Sequence, residues 1–470
     1  MHICKKSINF KVLKLKLILG VLMSKITTNS EENQIKNLFS FSEVIPEKKI
    51  QVDFKAPDIS SNGGLVLAGL EKENIARKIA RLIPDNRNHA LIVHSYEEMV
   101  CQRVGQIMCG YEDANDCDRL RHDSALKMSV GRKPSDSDLC SQPTMTRLEN
   151  HVDRRTLYAI AWLFVWEYIG SFSKAPKRVI LDVDDTNADT YGAQQLSLFN
   201  DYYNELCYMP LVIFDGMNGK LILPLLRPGR RNKSLNIFGV LRRLAEYLHK
   251  IWPHTIIELR GDSHFCCHEF MDWSKTHRYV RFTTGLGGNS ALMKKIDKPL
   301  RRAQGDYMRH KEDIRRYYSF DYKAKSWKYS QRVIAKIEVT SMGVNIRFIV
   351  TSNRNNTPET VYRRYCGRGE MELWIKDLKY FHADRMSCSS FKANTFRLFL
   401  YGAAYIIAHR LKVTVFAGTE IEVFTMDSFI KKIMLSAVHI VEKKTFVRFS
   451  FSPHHRHLEA LALAFGRLSA

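Results

Sequence analysis

The pattern of apolar positions changes character near residue 176. Over 65–83 apolar residues recur at helical spacing, and Ser95-Tyr96-Glu97-Glu98 sets a serine N-cap ahead of Met99, Val104 and Ile107. Ser141-Gln142-Pro143-Thr144 supplies a further cap, with a proline suited to a first helical turn, before 145–152. The stretch 65–170 therefore predicts several helices, with a faint helix-turn-helix signature. Beyond Pro176 the signal becomes that of strands: 179–184 is short and β-branched, and 210–216 with 220–224 predicts a hairpin around Met217-Asn218-Gly219. A helix at 235–250, a strand at 255–261, a helix at 268–275 and a strand at 279–285 follow, in mixed α/β order. Residues 328–340 and 344–350 alternate as antiparallel strands do, and two long helices are predicted at 358–381 and 394–413. The division that results is a flexible N-terminal arm (1–62), a helical region (63–170), an α/β core in two parts (171–286 and 346–413) around a modest β-rich insertion (287–345), and a C-terminal region (414–470).

Composition narrows the function. The 470 residues carry 72 Lys and Arg against 49 Asp and Glu, a formal charge of +23, so a polyanion is the first partner to expect. With 45% hydrophobic residues and 13 prolines, wholesale disorder is excluded and two or three packed units are expected. Ten cysteines without a C-x-x-C pair point to reduced thiols in a cytoplasm. The early apolar run 17–23 follows Lys11, Lys14 and Lys16, is too short for a membrane span, and lacks a signal-peptide cleavage site; Met23 is an alternative start. No membrane partner is expected.

Alternate residues of a strand share a face, so Asp182 and Asp184 point together while Leu181 and Val183 point away. Capping the turn toward Thr186 is the ordinary explanation of Asp182, Asp184 and Asp185; holding a cation is the other. Asp262 ends the strand 255–261, where an Asp-Ser pair also caps turns. On one continuous helix, Tyr365, Arg368, Glu372 and Lys379 fall within a wedge of about 60°, whereas Glu370 and Asp377 point elsewhere. A salt-bridged solvent face explains Arg368 and Glu372 but leaves Tyr365 and Lys379 over. Two strand-borne aspartates and a helix-borne glutamate are the hard oxygen ligands that a pair of Mg²⁺ ions takes, which points to phosphodiester chemistry. His264, Cys266, Cys267 and His268 are too tightly spaced for tetrahedral zinc, and His454, His455 and His457 beside Arg456 read as a basic or solvated patch.

The Tyr-x2-Arg-x3-Glu-x6-Lys spacing at Tyr365, Arg368, Glu372 and Lys379 resembles that of DDE transposases of bacterial insertion sequences. Also similar to one branch of that group are Leu181-Asp182-Val183-Asp184-Asp185-Thr186, Leu226-Arg227-Pro228-Gly229, Arg260-Gly261-Asp262-Ser263 and Gly110-Tyr111-Glu112-Asp113-Ala114-Asn115-Asp116. The resemblance implies an RNase-H-like mixed sheet with flanking helices, preceded by a helical DNA-binding region. It implies catalytic, metal-holding residues at Asp184, Asp262 and Glu372, with Asp184 preferred over Asp182 because Thr186 follows it after one residue. Tyr365, Arg368, Lys379, Asp182 and Thr186 become supporting residues, and Arg227, Arg230 and Arg231 contacts to DNA backbone. The implied activity is binding of the element's terminal repeats, cleavage with Mg²⁺ (or Mn²⁺), and joining of the 3′-hydroxyl to target DNA, by a homodimer that pairs two ends in the cytoplasm at the nucleoid. A structure-selective nuclease with the same core, and a DNA-binding regulator that has lost catalysis, are the alternatives.

Overall fold

The strands that follow residue 176 assemble into one eight-stranded mixed sheet. They are β1 (Arg178–Asp185), β2 (Leu211–Asp215), β3 (Leu221–Leu225), β4 (Ile256–Gly261), β5 (Val280–Leu286), β6 (Ile314–Tyr322), β7 (Gln331–Thr340) and β8 (Gly343–Thr351), in the spatial order β6-β7-β8-β5-β4-β1-β2-β3. The three central strands β1, β4 and β5 run parallel, and antiparallel strands extend the sheet at both edges. Parallel strands are covered on both faces, which is why Val179–Val183 and Ile257–Gly261 are buried almost without interruption. The computed structural model describes residues 39–45, 48–71, 73–230 and 237–469; the run 17–23, Met23 as a start, and Arg231 lie outside the described residues.

Two expectations about organisation change. The polar arm contains an antiparallel strand pair, Phe39–Ile45 with Lys48–Val52, inside a separate unit, Met1–Ile59; everything else described belongs to Ser60–Ala470. The stretch 287–345, expected as a modest β-rich insertion, holds strands β6 and β7 and a helix ahead of them. It begins with the helix Ser290–His310, which lays Leu292, Ile296 and Ala303 toward the core, and its strands continue the central sheet because β8 pairs with β5. Alternation marks a strand and its faces, not the edge it will join. Between β1 and β2 the chain adds strands Ala188–Thr190, Leu198–Asn200 and Glu205–Tyr208, which with Arg385–Met386 make a second, four-stranded sheet.

The helical region follows its local signals. Ser95 Oγ accepts from the Glu98 amide at 3.1 Å and caps Tyr96–Met108. Ser141 precedes Gln142–His151 without capping it; the Gln142 amide donates instead to Asp118 Oδ1 at 2.9 Å. The 65–83 periodicity is split into Leu65–Gly69 and Ile75–Arg81, the second capped by Asn74. The helix Phe391–Arg410 is apolar nearly all round and is buried along most of its length, between the N-terminal helices and β3. With its continuation to Val415 it is, among the described residues, the one helix long and apolar enough to cross a membrane, and 72% of that window is buried inside the protein.

Charges buried at this junction are paired. Arg103 donates to Glu149 Oε1 at 3.3 Å and to the Tyr111 carbonyl at 3.1 Å, while Arg397 donates to Asp113 Oδ1 at 2.8 Å and to the Glu112 carbonyl at 2.9 Å. The Gly110–Asp113 segment is thereby a latch between the helical region and Phe391–Arg410, and Gly110 at φ +82° lets the chain turn into it. Of the C-terminal histidines, His457 is buried with Nδ1 on Glu420 Oε1 at 2.8 Å and His455 is half-buried with Nε2 on Ser436 Oγ at 3.0 Å, whereas His454 and Arg456 are exposed, so only those two remain of the solvated patch the sequence suggests.

Candidate active site

The pleat of β1 puts Asp182 and Asp184 on one face, as the alternation requires, yet the two have different surroundings. Asp182 is fully buried, and the parallel register sets it opposite Arg260 on β4, which holds both of its carboxylate oxygens. A side chain at Gly216 would place its Cβ 2.5 Å from Asp182 Oδ2, so glycine there is what admits the pair under the β2–β3 turn. Arg260 Nη1 also donates to the Arg364 carbonyl at 2.8 Å.

That bond explains a departure from the predicted helix. Instead of one helix over 358–381 there are two, Pro358–Cys366 and Gly369–Lys379. The buried guanidinium takes a carbonyl from the last turn of the first helix, and the absence of a Cβ at Gly367, which would stand 2.8 Å from Arg260 Nη1, makes room for it. A wheel drawn through the break does not hold, so Arg368 lies at the junction and Glu372 in the first turn of the second helix. Met371, Ile375 and Leu378 are buried beneath, and Trp374 packs on Phe214 of β2, ring centroids 5.8 Å apart.

At the end of β1, Asp184 reaches a cleft of about 580 Å³. Asp262, leaving β4, and Glu372 line the same cleft, together with Asp185, His264, Arg230 and Arg368. Arg368 Nη2 donates to Asp184 Oδ2 at 3.0 Å, and the Asp185 amide donates to Asp184 Oδ1 at 3.0 Å. Burial pushes the Asp184 carboxyl up to about 6; Arg368 opposes the rise and the Asp262 charge adds to it. Asp262 Oδ1 accepts the His264 amide at 2.8 Å, capping the turn Ser263–Phe265, and Asp262 Oδ2 faces His264 Nδ1 at 3.0 Å. Arg368 Nε is buried without a hydrogen-bond partner among the described residues.

Among the described residues no three His, Cys, Asp or Glu side chains stand close enough to share a cation. The donor set nonetheless suits hard divalent ions: Asp184, Asp262 and Glu372 share the cleft with the carboxylates of Asp185 and Asp201, and Asp184 is raised by burial and by its neighbour's negative charge, which makes a site short of positive charge.

The other expected residues lie around this centre. Tyr365 packs where a Cβ on Gly285 would come 2.9 Å from its hydroxyl and 2.7 Å from the Ser263 nitrogen, so it bears on the Asp262 turn. Lys379 Nζ donates to Asn187 Oδ1 at 3.1 Å and lies outside the cleft lining, as does Thr186, whose amide donates to the Pro210 carbonyl at 3.1 Å. Arg227 is paired within the chain: Nη2 donates to Asp185 Oδ2 at 2.7 Å and Nε to the Met209 carbonyl at 3.0 Å, bracing the turn after β3. Arg230 is exposed on the cleft. Asp377 accepts the Met426 amide at 2.9 Å, away from the site, and Glu370 is also absent from the lining. Two features escaped the sequence reading. Arg260 stands two residues before Asp262 as Asp182 does before Asp184, opposite charges at one level of neighbouring strands; and Phe199, Tyr202 and Tyr203 reach the cleft from a sheet that no alternation announced.

The family model for the transposase DDE domain, group 1, matches residues 42–470, and the chain belongs to that family. Among solved structures it is similar to a piggyBac transposase in a synaptic complex with hairpin DNA, at 11% identity, 79% coverage of each chain and a TM-score of 0.41. No curated protein matches.

Proposed function

We propose that the protein is the transposase of a bacterial insertion sequence, built on an RNase-H-like core, that binds the element's terminal repeats, cleaves DNA and joins the freed 3′-hydroxyl to a target. The observation that carries this is the convergence of Asp184, Asp262 and Glu372, from two strands and a helix, on one cleft. These three would hold two Mg²⁺ ions, or Mn²⁺, which when bound activate the attacking oxygen and stabilise the departing one. Arg368, with Nη2 on Asp184 and its guanidinium on the cleft lining, is set to steady Asp184 and to donate to a nonbridging phosphate oxygen. Asp182 acts through Arg260, fixing the strand and helix that carry the acids, and Tyr365 and Lys379 position the segments next to Asp262 and Asp184. Arg230 and the helical region supply contacts to DNA backbone. A homodimer pairs the two ends, and the protein works in the cytoplasm at the nucleoid.

Purified protein incubated with Mg²⁺ or Mn²⁺ and labelled DNA from the flanks of its own gene tests this. Cleavage at the repeats and joined products are expected. Cleavage without joining, on structured DNA regardless of repeats, would make it a nuclease; binding without cleavage would make it a regulator.

A further inference from the structure

One wall of the acidic cleft is aromatic. Phe199, Tyr202 and Tyr203 sit on and beside the turn that joins Leu198–Asn200 to Glu205–Tyr208, with Phe199 48% and Tyr202 84% exposed. Tyr203 stands edge-on to Tyr202, ring centroids 4.9 Å apart at 88°. The turn is rigidly built. Asn200 Oδ1 accepts the Tyr202 amide at 3.0 Å and the Tyr203 amide at 3.2 Å, and its Nδ2 donates to the Gly229 carbonyl at 2.7 Å. Asn204 completes the reversal at φ +55°, a conformation that asparagine tolerates better than most residues.

A ring as exposed as Tyr202 adds little to the core. Held by a fixed turn beside carboxylates and arginines, it offers a flat apolar face where most of the cleft is charged. Phosphate has no use for such a face, but a nucleobase does, because every base has a π-surface and stacks on tyrosine regardless of sequence. A base inside a duplex is already stacked on both sides, so the one that reaches Tyr202 must be unpaired. We propose that Tyr202, backed by Tyr203 and Phe199, is a stacking platform for an unpaired nucleobase adjoining the scissile phosphate, so that the site favours DNA whose end is frayed or whose nucleotide has left the helix. This rests on the reading of the cleft as a phosphodiester site.

The test uses the full chain in EDTA and a short duplex, either blunt or ending in a single-stranded tail that carries 2-aminopurine. Tyr202→Ala should weaken binding of the tailed duplex by about 5- to 100-fold and abolish the change in 2-aminopurine fluorescence, leaving blunt-duplex affinity as in wild type. Tyr202→Phe and Tyr202→Trp should keep both signals, since ring and not hydroxyl is at issue. Wild-type behaviour of Tyr202→Ala, or equal loss on both DNAs, overturns the platform. Cleavage is then scored with Mn²⁺ on the same two end structures built into DNA from the flanks of the protein's own gene. Tyr202-dependent tail binding without any cleavage by wild type would support the platform and sink the phosphodiester reading; cleavage without that dependence would do the reverse.

Discussion

Replacing Asp184 by Asn should make the metal-free protein more stable while abolishing cleavage. A carboxyl raised from the usual 3.8 to about 6 is one that the folded chain holds in its charged form at a cost, and the difference corresponds to about 3 kcal/mol at neutral pH. The figure already contains the opposing pull of Arg368, and Asn stands in for the protonated acid. The sign follows from proton binding: native Asp184 keeps its proton to higher pH than the unfolded chain does, so stability is greatest below the usual carboxylate range and is lost as pH rises through about 6. The advantage of Asp184→Asn should therefore grow from about 1.5 kcal/mol at pH 5 to about 3 kcal/mol at pH 7.5. With an unfolding entropy of about 2.1 cal/mol/K per residue over the larger unit, this is a rise in Tm of roughly 2 °C widening to 3–4 °C. Thermal melts in EDTA at the two pH values measure it. Mn²⁺ at about a hundred times its Kd should then return about 2.7 kcal/mol to wild type and nothing to the variant. A variant less stable than wild type in EDTA, or a gap indifferent to pH, would mean that Arg368 makes Asp184 a net stabiliser and that the site is not waiting for a cation.

Local chemistry was legible where a single element decides it. The placement of Asp184 and Asp262 at the ends of neighbouring strands follows from alternation and from the residues that stop each strand, and the hairpin at Met217-Asn218-Gly219 follows from its turn, with Gly219 at φ +71°. What the sequence hid are properties of pairs distant along the chain. The break at Gly367 depends on Arg260, more than a hundred residues earlier, taking the Arg364 carbonyl. Arg227 looked like a free cation in a loop because Asp185, which neutralises it, lies on another strand. The strands within 287–345, β6 and β7, extend the central sheet because β7 pairs with β8, a pairing that alternation along either strand does not reveal. Arg368 and Glu372 lie so near the break that their separation along the chain still brings both to the cleft.

Asp262→Asn and Glu372→Gln should each reduce cleavage below detection with DNA binding nearly intact, whereas Glu370→Gln should cleave as wild type; a dead Glu370→Gln would move the helix-borne ligand. Arg230→Gln should lower the salt dependence of binding by about one unit of slope, as loss of one phosphate contact requires, and no change would make Arg230 merely solvated. Arg368→Lys should depress single-turnover cleavage more than affinity, because a point charge cannot both hold Asp184 and reach the phosphate as the guanidinium fork does; equal losses would make Arg368 an ordinary backbone contact. Arg260→Met should cost about 3–5 kcal/mol, since it leaves Asp182 charged, fully buried and without its partner. Asp182→Asn together with Arg260→Met should recover part of that loss by removing the stranded charge, although the Arg364 carbonyl stays unmet. The pair also separates structure from chemistry at the first acid: if Asp182 serves only Arg260, the folded double variant still gains stability from Mn²⁺ and still cleaves, whereas loss of both responses in a well-folded protein would make Asp182 a ligand alongside Asp184.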